Sequence, residues 1–275
     1  MDLKSLIDHP SKLPTVPQVT QRVIASFGSD EVSISEIAEL IEADPVLSAK
    51  LLRLANSAYF HLSRTIGTVD DALRMLGFVM VRNLVLGNGM AAAFRNTKGM
   101  DLQQFWRYNL YAASAARWVA GKAGENADLV FTVGLMSGIG QLQMHVVLPQ
   151  EVLALDKQMH VLDAGRAALE KESLGFHNAD VAAELAQLWN FPAPIVHAMR
   201  CVIDPLNAKE YSEAAACVHL GNWAARNAIQ QSTPEQMQAS FPLAVGERLG
   251  MGWDRVNEEM PPLAELCAGL EDMLA

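Results

Sequence analysis

The sequence is punctuated by helix starts. Ser33 and Glu36 form an S-x-x-E box ahead of IAELIEA, Asp44-Pro45 opens PVLSAKLLRLANSA, and Thr68 precedes Asp71 by three residues at the head of VDDALRML. A Ser, Thr or Asp at such a place accepts a hydrogen bond from a first-turn N–H that has no partner inside the helix. Proline at the first helical position gives up a donor the helix does not use. Apolar residues then recur at three- and four-residue spacing, as Val46, Leu47, Leu51 and Leu54 do. The same signals predict a helix between Pro17 and Gly28, a stop at Gly77, and a helix over FVMVRNLVLGNGMAAAF. They also predict a long helix over about 101–123 with a stripe of Phe105, Ala112, Ala116 and Val119. Asn126, Pro149, Asp163, Asn178, Pro194, Ser212, Thr233-Pro234 and Pro262 mark further starts. Clean two-residue alternation and an Asn-Gly hairpin turn are both missing, so the expected fold is all-α.

At 275 residues the chain has enough length to bury a large core without a metal or disulfide staple. A net charge of −10 and no Lys/Arg run argue against general nucleic-acid binding, because phosphate backbones are repelled. Cys201, Cys217 and Cys267 are odd in number and far apart, which reads as reduced thiols in a cytoplasmic protein. The N-terminus lacks a long apolar stretch of the secretory kind. The longest apolar run, around 129–139, is too short and glycine-rich for a membrane span.

One stretch raises a question of chemistry. TVGLMSGIGQ, residues 132–141, holds Gly134, Gly138 and Gly140. A P-loop needs a Lys after its last Gly, and a dinucleotide fingerprint needs Gly where Gln143 stands. Close helix packing is the reading that spacing favours. The histidines show no HxxxH, HExxH or His-Asp pattern. Cys201 and His197 share a helix face, but nothing nearby supplies the rest of a nucleophilic site.

Several segments taken in order resemble the HDOD domain, the output-domain relative of the HD metal-dependent phosphohydrolases. They are LPTVPQVTQRVI, IAELIEADPVLSAKLLRLANSAYF, TVDDALRMLGFVMVRNLVL, FWRYNLYAASAA, VGLMSGIGQL and FHNADVAAELAQLWNFPAPIVHAM. The resemblance covers about 13–206, with DPVLSAKLLRLANSAYF its most specific part. It implies an HD-like multi-helical core over 96–206 and an N-terminal helical bundle over 13–95. Residues 1–12 form a leading segment, and 207–275 are expected as C-terminal helices packed on the same body.

The resemblance also implies which positions carry metal in catalytic HD enzymes. The adjacent His-Asp pair falls on Ser137 and Gly138, an upstream His on Tyr108, late paired histidines near Val202 and Ile203, and a downstream Asp near Asn222. Glycine has no side chain to ligate, Val and Ile offer hydrocarbon, and a neutral Ser is a poor ligand. No metal or other cofactor is therefore expected. The resemblance implies a non-catalytic regulatory domain of bacterial signal transduction, acting through a protein partner in trans, with no role for nucleic acid or membrane. Candidate partner contacts are Arg53, Asn56, Tyr59, Phe60 and Arg64, which mix polar groups with large aromatics. The alternatives are a metal-dependent phosphohydrolase acting on nucleotides or cyclic dinucleotides, and a sensor that holds a nucleotide in the vestigial cavity. His177, Tyr108 and Trp189 are the candidate lining of that cavity, although the sequence gives no positive support for a small molecule.

Overall fold

The computed structural model describes residues 3, 6, 13–27, 33–57, 60 and 65–270. All regular structure among them is helical. The N-terminal part consists of α1 (Gln18–Ala25), α2 (Ile34–Glu42), α3 (Pro45–Ala55), α4 (Val69–Leu76) and α5 (Phe78–Ala93). The starts lie where local chemistry places them. Asp44 Oδ1 accepts from the N–H groups of Val46 and Leu47 at 2.9 and 3.0 Å, and Thr68 caps α4 through the N–H of Asp71. The box at Ser33 is half made: its hydroxyl accepts from the N–H of Glu36, while the Glu36 carboxylate turns to Arg22 at 3.2 Å. Pro17 precedes α1 in extended backbone, one position earlier than expected, and Gly28 lies outside the described residues.

The long α6 (Leu102–Ala123) is the axis of the molecule. Asp101 caps its start, and Gly124 ends it at φ +81°, a left-handed conformation that suits glycine. Helices α7 (Ala127–Met136), α8 (Ile139–Val147), α9 (Pro149–Asp156), α10 (Arg166–Leu174), α11 (Asn178–Leu188) and α12 (Ala193–Cys201) follow. The C-terminal part holds α13 (Glu213–Gln230), α14 (Pro234–Ala239), α15 (Leu243–Arg248), α16 (Trp253–Glu259) and α17 (Leu263–Leu266). Helix α6 lies along α7 and α13, while α11 packs on α8 and α12. The start expected at Asp163 is displaced: α10 begins at Arg166, and Asp163 Oδ1 instead accepts from the N–H of Gly165 in the preceding turn.

The opening glycines of the apolar stretch are packing devices. A Cβ on Gly134 would lie 2.7 Å from the Cα of Ala113 on α6, and one on Gly140 would fall on the backbone carbonyl of Asn178. Glycine at these two places lets α7 meet α6 and α8 meet α11 backbone to backbone. The run Ala127–Val147 is long and apolar enough to cross a membrane by composition, but it is 83% buried and serves as core.

The main hydrophobic core runs from Val16 to Leu270 and takes in all three parts of the chain. Each fully buried Leu or Phe in it contributes roughly 1.5–3 kcal/mol of transfer free energy. The C-terminal helices are tied down in three ways. Trp223, Phe241 and Trp253 stack edge to face, Lys122 pairs with Glu259 at 2.6 Å, and Cys267 is buried 3.7 Å from the carbonyl of Leu110. A smaller cluster around Met144, Leu148, Val152 and Phe176 takes in Leu6.

Candidate functional site

Helix α6 presents Phe105, Tyr108 and Asn109 toward the break between α7 and α8, where Ser137 and Gly138 sit. The end of α12 brings Val202 and Ile203 to the same place, and α13 brings Asn222 and Arg226. Tyr108, Ser137, Gly138, Val202, Ile203 and Asn222 thus line one cleft of about 80 Å³.

The chemistry of this lining is that of a filled pocket. Ser137 turns its hydroxyl back to donate to the carbonyl of Gly134 at 2.9 Å. The space a side chain would take at Gly138 belongs to Asn109, with the ring edge of Phe105 2.8 Å from where its Cβ would stand. Asn109 is held there by donating to the carbonyl of Phe105 at 2.8 Å. Tyr108 donates to the carbonyl of Asn222, and burial pushes its phenol above the ordinary range against the opposing pull of Arg226. Val202 is buried, and its carbonyl accepts from His219 Nδ1 at 2.8 Å. Burial holds the His219 imidazole below its ordinary value of 6.5.

Arg166 in the cleft wall begins a chain of ion pairs that runs behind it. Arg166, 1% exposed, donates from Nε to Glu170 at 2.9 Å, from Nη1 to the carbonyl of Met159, and meets Asp156 at 2.8 Å. Asp156 faces His145 Nε2 at 3.0 Å, and the other His145 nitrogen faces the carbonyl of Gln141. Glu170 Oε2 accepts both the backbone and side-chain N–H of Asn178. The chain welds α8, α9, α10 and α11 together, and each charge is paired, as burial requires. Polar groups remain over: both amide atoms of Gln141 and Oδ1 of Asn109 and Asn222 have no protein partner among the described residues. A cleft of this size has room for a few waters at those groups.

An HD-type metal does not fit this donor set. At the six positions that the resemblance assigns to metal ligands, this chain offers glycine, hydrocarbon, a back-bonded hydroxyl, an amide and a phenol that burial keeps protonated. Among the described residues, no group of three or more His, Cys, Asp and Glu is arranged to hold a metal ion.

The other candidate residues lie elsewhere. His177 is the N-cap of α11: its Nδ1 accepts from the N–H of Asp180, whose carboxylate accepts the N–H of His177. Trp189 is not part of the cleft; it stands at the opposite end of α11, packed against the main core. Asn56 is spent internally, donating to the carbonyls of Leu52 and Ile66 and accepting from the N–H of Ile66 at 2.7 Å. Arg53 is exposed, and Phe60 is half-buried against the main core. Tyr59 and Arg64 lie outside the described residues. Cys201 Sγ is 3.8 Å from each ring nitrogen of His197, but burial raises its thiol pKa, and His197 Nε2 faces the carbonyl of Glu210. Cys217 is pushed up to about 12, again by burial.

The HDOD domain family matches residues 13–205. The chain belongs to the HDOD family. This HDOD chain is 26% identical to a structurally solved protein of Shewanella amazonensis SB2B that carries the provisional name phosphohydrolase, with a TM-score of 0.80 over 98% of each chain. It shares the fold of an HDOD domain protein of unknown function from Geobacter sulfurreducens, at 21% identity and TM-score 0.77, over 98% of this chain and 97% of that one. It shares that fold also with a Marinobacter aquaeolei VT8 protein provisionally named for signal transduction, at 22% identity and TM-score 0.73, over 96% of this chain and 58% of that one. An uncharacterized Treponema pallidum protein is 23% identical over 86% of this chain, which spans 47% of that protein's length.

Sequence reasoning missed Gln141, Arg166 and Arg226 in the cleft wall, and Glu170, which pairs with Arg166 behind it. A signal for Arg166 and Glu170 was present: RAALE places opposite charges four apart on one helix face. That spacing is common on exposed helices, and nothing in it announces burial.

Proposed function

We propose that this HDOD chain is a non-catalytic regulatory module that acts by contact with a protein partner in trans. One observation carries the reading: the six positions that the family resemblance assigns to the metal ligands of HD enzymes line one cleft, and none carries an imidazole or a carboxylate. Phosphoester hydrolysis needs a group that activates water and neutralises phosphoryl oxygens, and uncatalysed rates leave up to ~10²¹-fold to be made up. The hydroxyls here donate to backbone carbonyls instead: Ser137 to Gly134 and Tyr108 to Asn222. The signal-transduction name of the Marinobacter relative agrees with a regulatory role.

The phosphohydrolase alternative draws on the provisional name of the Shewanella relative and on fold likeness, which does not fix chemistry. A nucleotide sensor at the cleft is disfavoured by size, since 80 Å³ falls well short of the roughly 300 Å³ at which small-ligand pockets begin. Two measurements test the proposal. Full chain dialysed against manganese, nickel or iron is expected to retain no stoichiometric metal and to leave bis-nitrophenyl phosphate and cyclic dinucleotides intact; retained metal with turnover refutes it. Quantitative crosslinking in the source cells is expected to give one reproducible protein neighbour.

A further inference from the structure

The opposite face of α6 borders a much larger hollow. We propose that the groove bounded by α1, α3, α5 and α6 binds an anionic amphiphile, a small molecule with an apolar body and a carboxylate or phosphate head. The groove holds about 790 Å³, within the ~300–1,000 Å³ of small-ligand pockets. Its construction rests on one contact. A Cβ on Gly89 of α5 would fall on the side chain of Thr20, so α1 crosses α5 there at close range, and Thr20 donates to the carbonyl of Val85. Thr20 and Gly89 both line the groove, so this crossing forms part of its wall.

Leu47, Val85, Trp106 and Leu110 are buried residues of its apolar lining, and Val46 stands at the mouth, 67% exposed. Lys50, Arg95 and Arg107 are its cations. Lys50 is held by Asn88 at 2.6 Å. The Arg95 and Arg107 side chains are exposed and make no ion pair or hydrogen bond among the described residues. One carboxylate lines the groove, Asp44, and it is engaged by two N–H groups at the start of α3. Three cations to one acid is a local reversal of sign on a chain with 31 acidic and 21 basic residues. An apolar body beside unpaired guanidinium groups selects for a negatively charged head, and arginine suits carboxylate and phosphate alike. A polynucleotide is the wrong occupant: three cations are too few to offset repulsion by the rest of the chain.

The test is isothermal titration of the full chain with decanoate, decyl phosphate, decanol and decyltrimethylammonium, each below its micelle concentration. Decanoate, decyl phosphate or both should saturate a single site, and the difference between them names the head group. The cation should bind at least about tenfold more weakly. R95E/R107E should lose on the order of tenfold in affinity for the anions, and V46D should weaken them further. Y108F, in the cleft, should change nothing. Equal binding of all four probes, indifference to R95E/R107E, or no binding of either anion would overturn the proposal. So would self-association abolished by V46D, which gives the groove to a second copy, or binding of an acidic amphipathic peptide but not of the small anions, which gives it to a partner helix.

Discussion

Helix α6 separates two hollows of opposite character. On the side of Tyr108 and Asn109 lies a cleft of about 80 Å³ walled by paired charges and amides; on the side of Trp106 and Arg107 lies a groove of about 790 Å³ lined by hydrocarbon and fringed with exposed cations. The first is where the family resemblance directs attention, and Ser137, Asn109 and Tyr108 there are tied to backbone carbonyls. The second carries no catalytic motif, yet Arg95 and Arg107 there remain uncommitted among the described residues. Among the described residues, unpartnered amide atoms in a space too small for more than a few waters mark the first hollow, and exposed unpaired cations beside a wide apolar surface mark the second.

If that contrast is right, substitutions in the cleft cost stability and those in the groove cost binding. The largest expected effect is Arg166→Ala, which strands Glu170 and Asp156 as buried charges and should cost about 3–5 kcal/mol in urea unfolding. Arg95→Ala, on the groove rim, should stay within about 0.5 kcal/mol. Comparable losses at both would break the contrast.

Next comes a pair of glycines. Gly140→Ala pushes a methyl onto the carbonyl of Asn178 and should destabilise by about 1–3 kcal/mol. Gly121→Ala, on α6 where a Cβ meets nothing within 4 Å, should stabilise by up to about 1 kcal/mol. Thermal melts of the two should move in opposite directions.

The smallest effect is a pH dependence. Burial lowers the His219 pKa, so its neutral form is the folded one. Its contribution is fully present above the ordinary value of 6.5 and is lost as pH falls from there toward the folded pKa, because the unfolded chain then binds the extra proton. The stability gap between wild type and His219→Gln should narrow on acidification across that value. A gap that widens sinks the assignment.

Local chemistry was legible in the sequence and assembly was not. Asp44, Thr68, Asp101 and Asn126 cap helices where their side chains alone dictate, because a cap needs only the next three residues. Ser33 shows the limit: its partner Glu36 was drawn off by Arg22 of another helix. Gly134 and Gly140 were readable as close-packing residues, though not which backbones they would admit. The convergence of Tyr108, Val202 and Asn222 followed from resemblance, since no periodicity joins residues so far apart. Trp189 was misplaced for a plain geometric reason: α11 carries it a whole helix away from the end that borders the cleft. The groove needs four helices to exist and left no trace in any one of them.

The seating of Asn109 against Gly138 has a consequence for ion access. An aspartate installed at 138 would collide with that amide and with the Phe105 ring, so placing a carboxylate there requires both neighbours to be vacated first. A ligand at 138 is thus barred by the packing of α6 itself, and no substitution at that position alone can open the hollow to an ion.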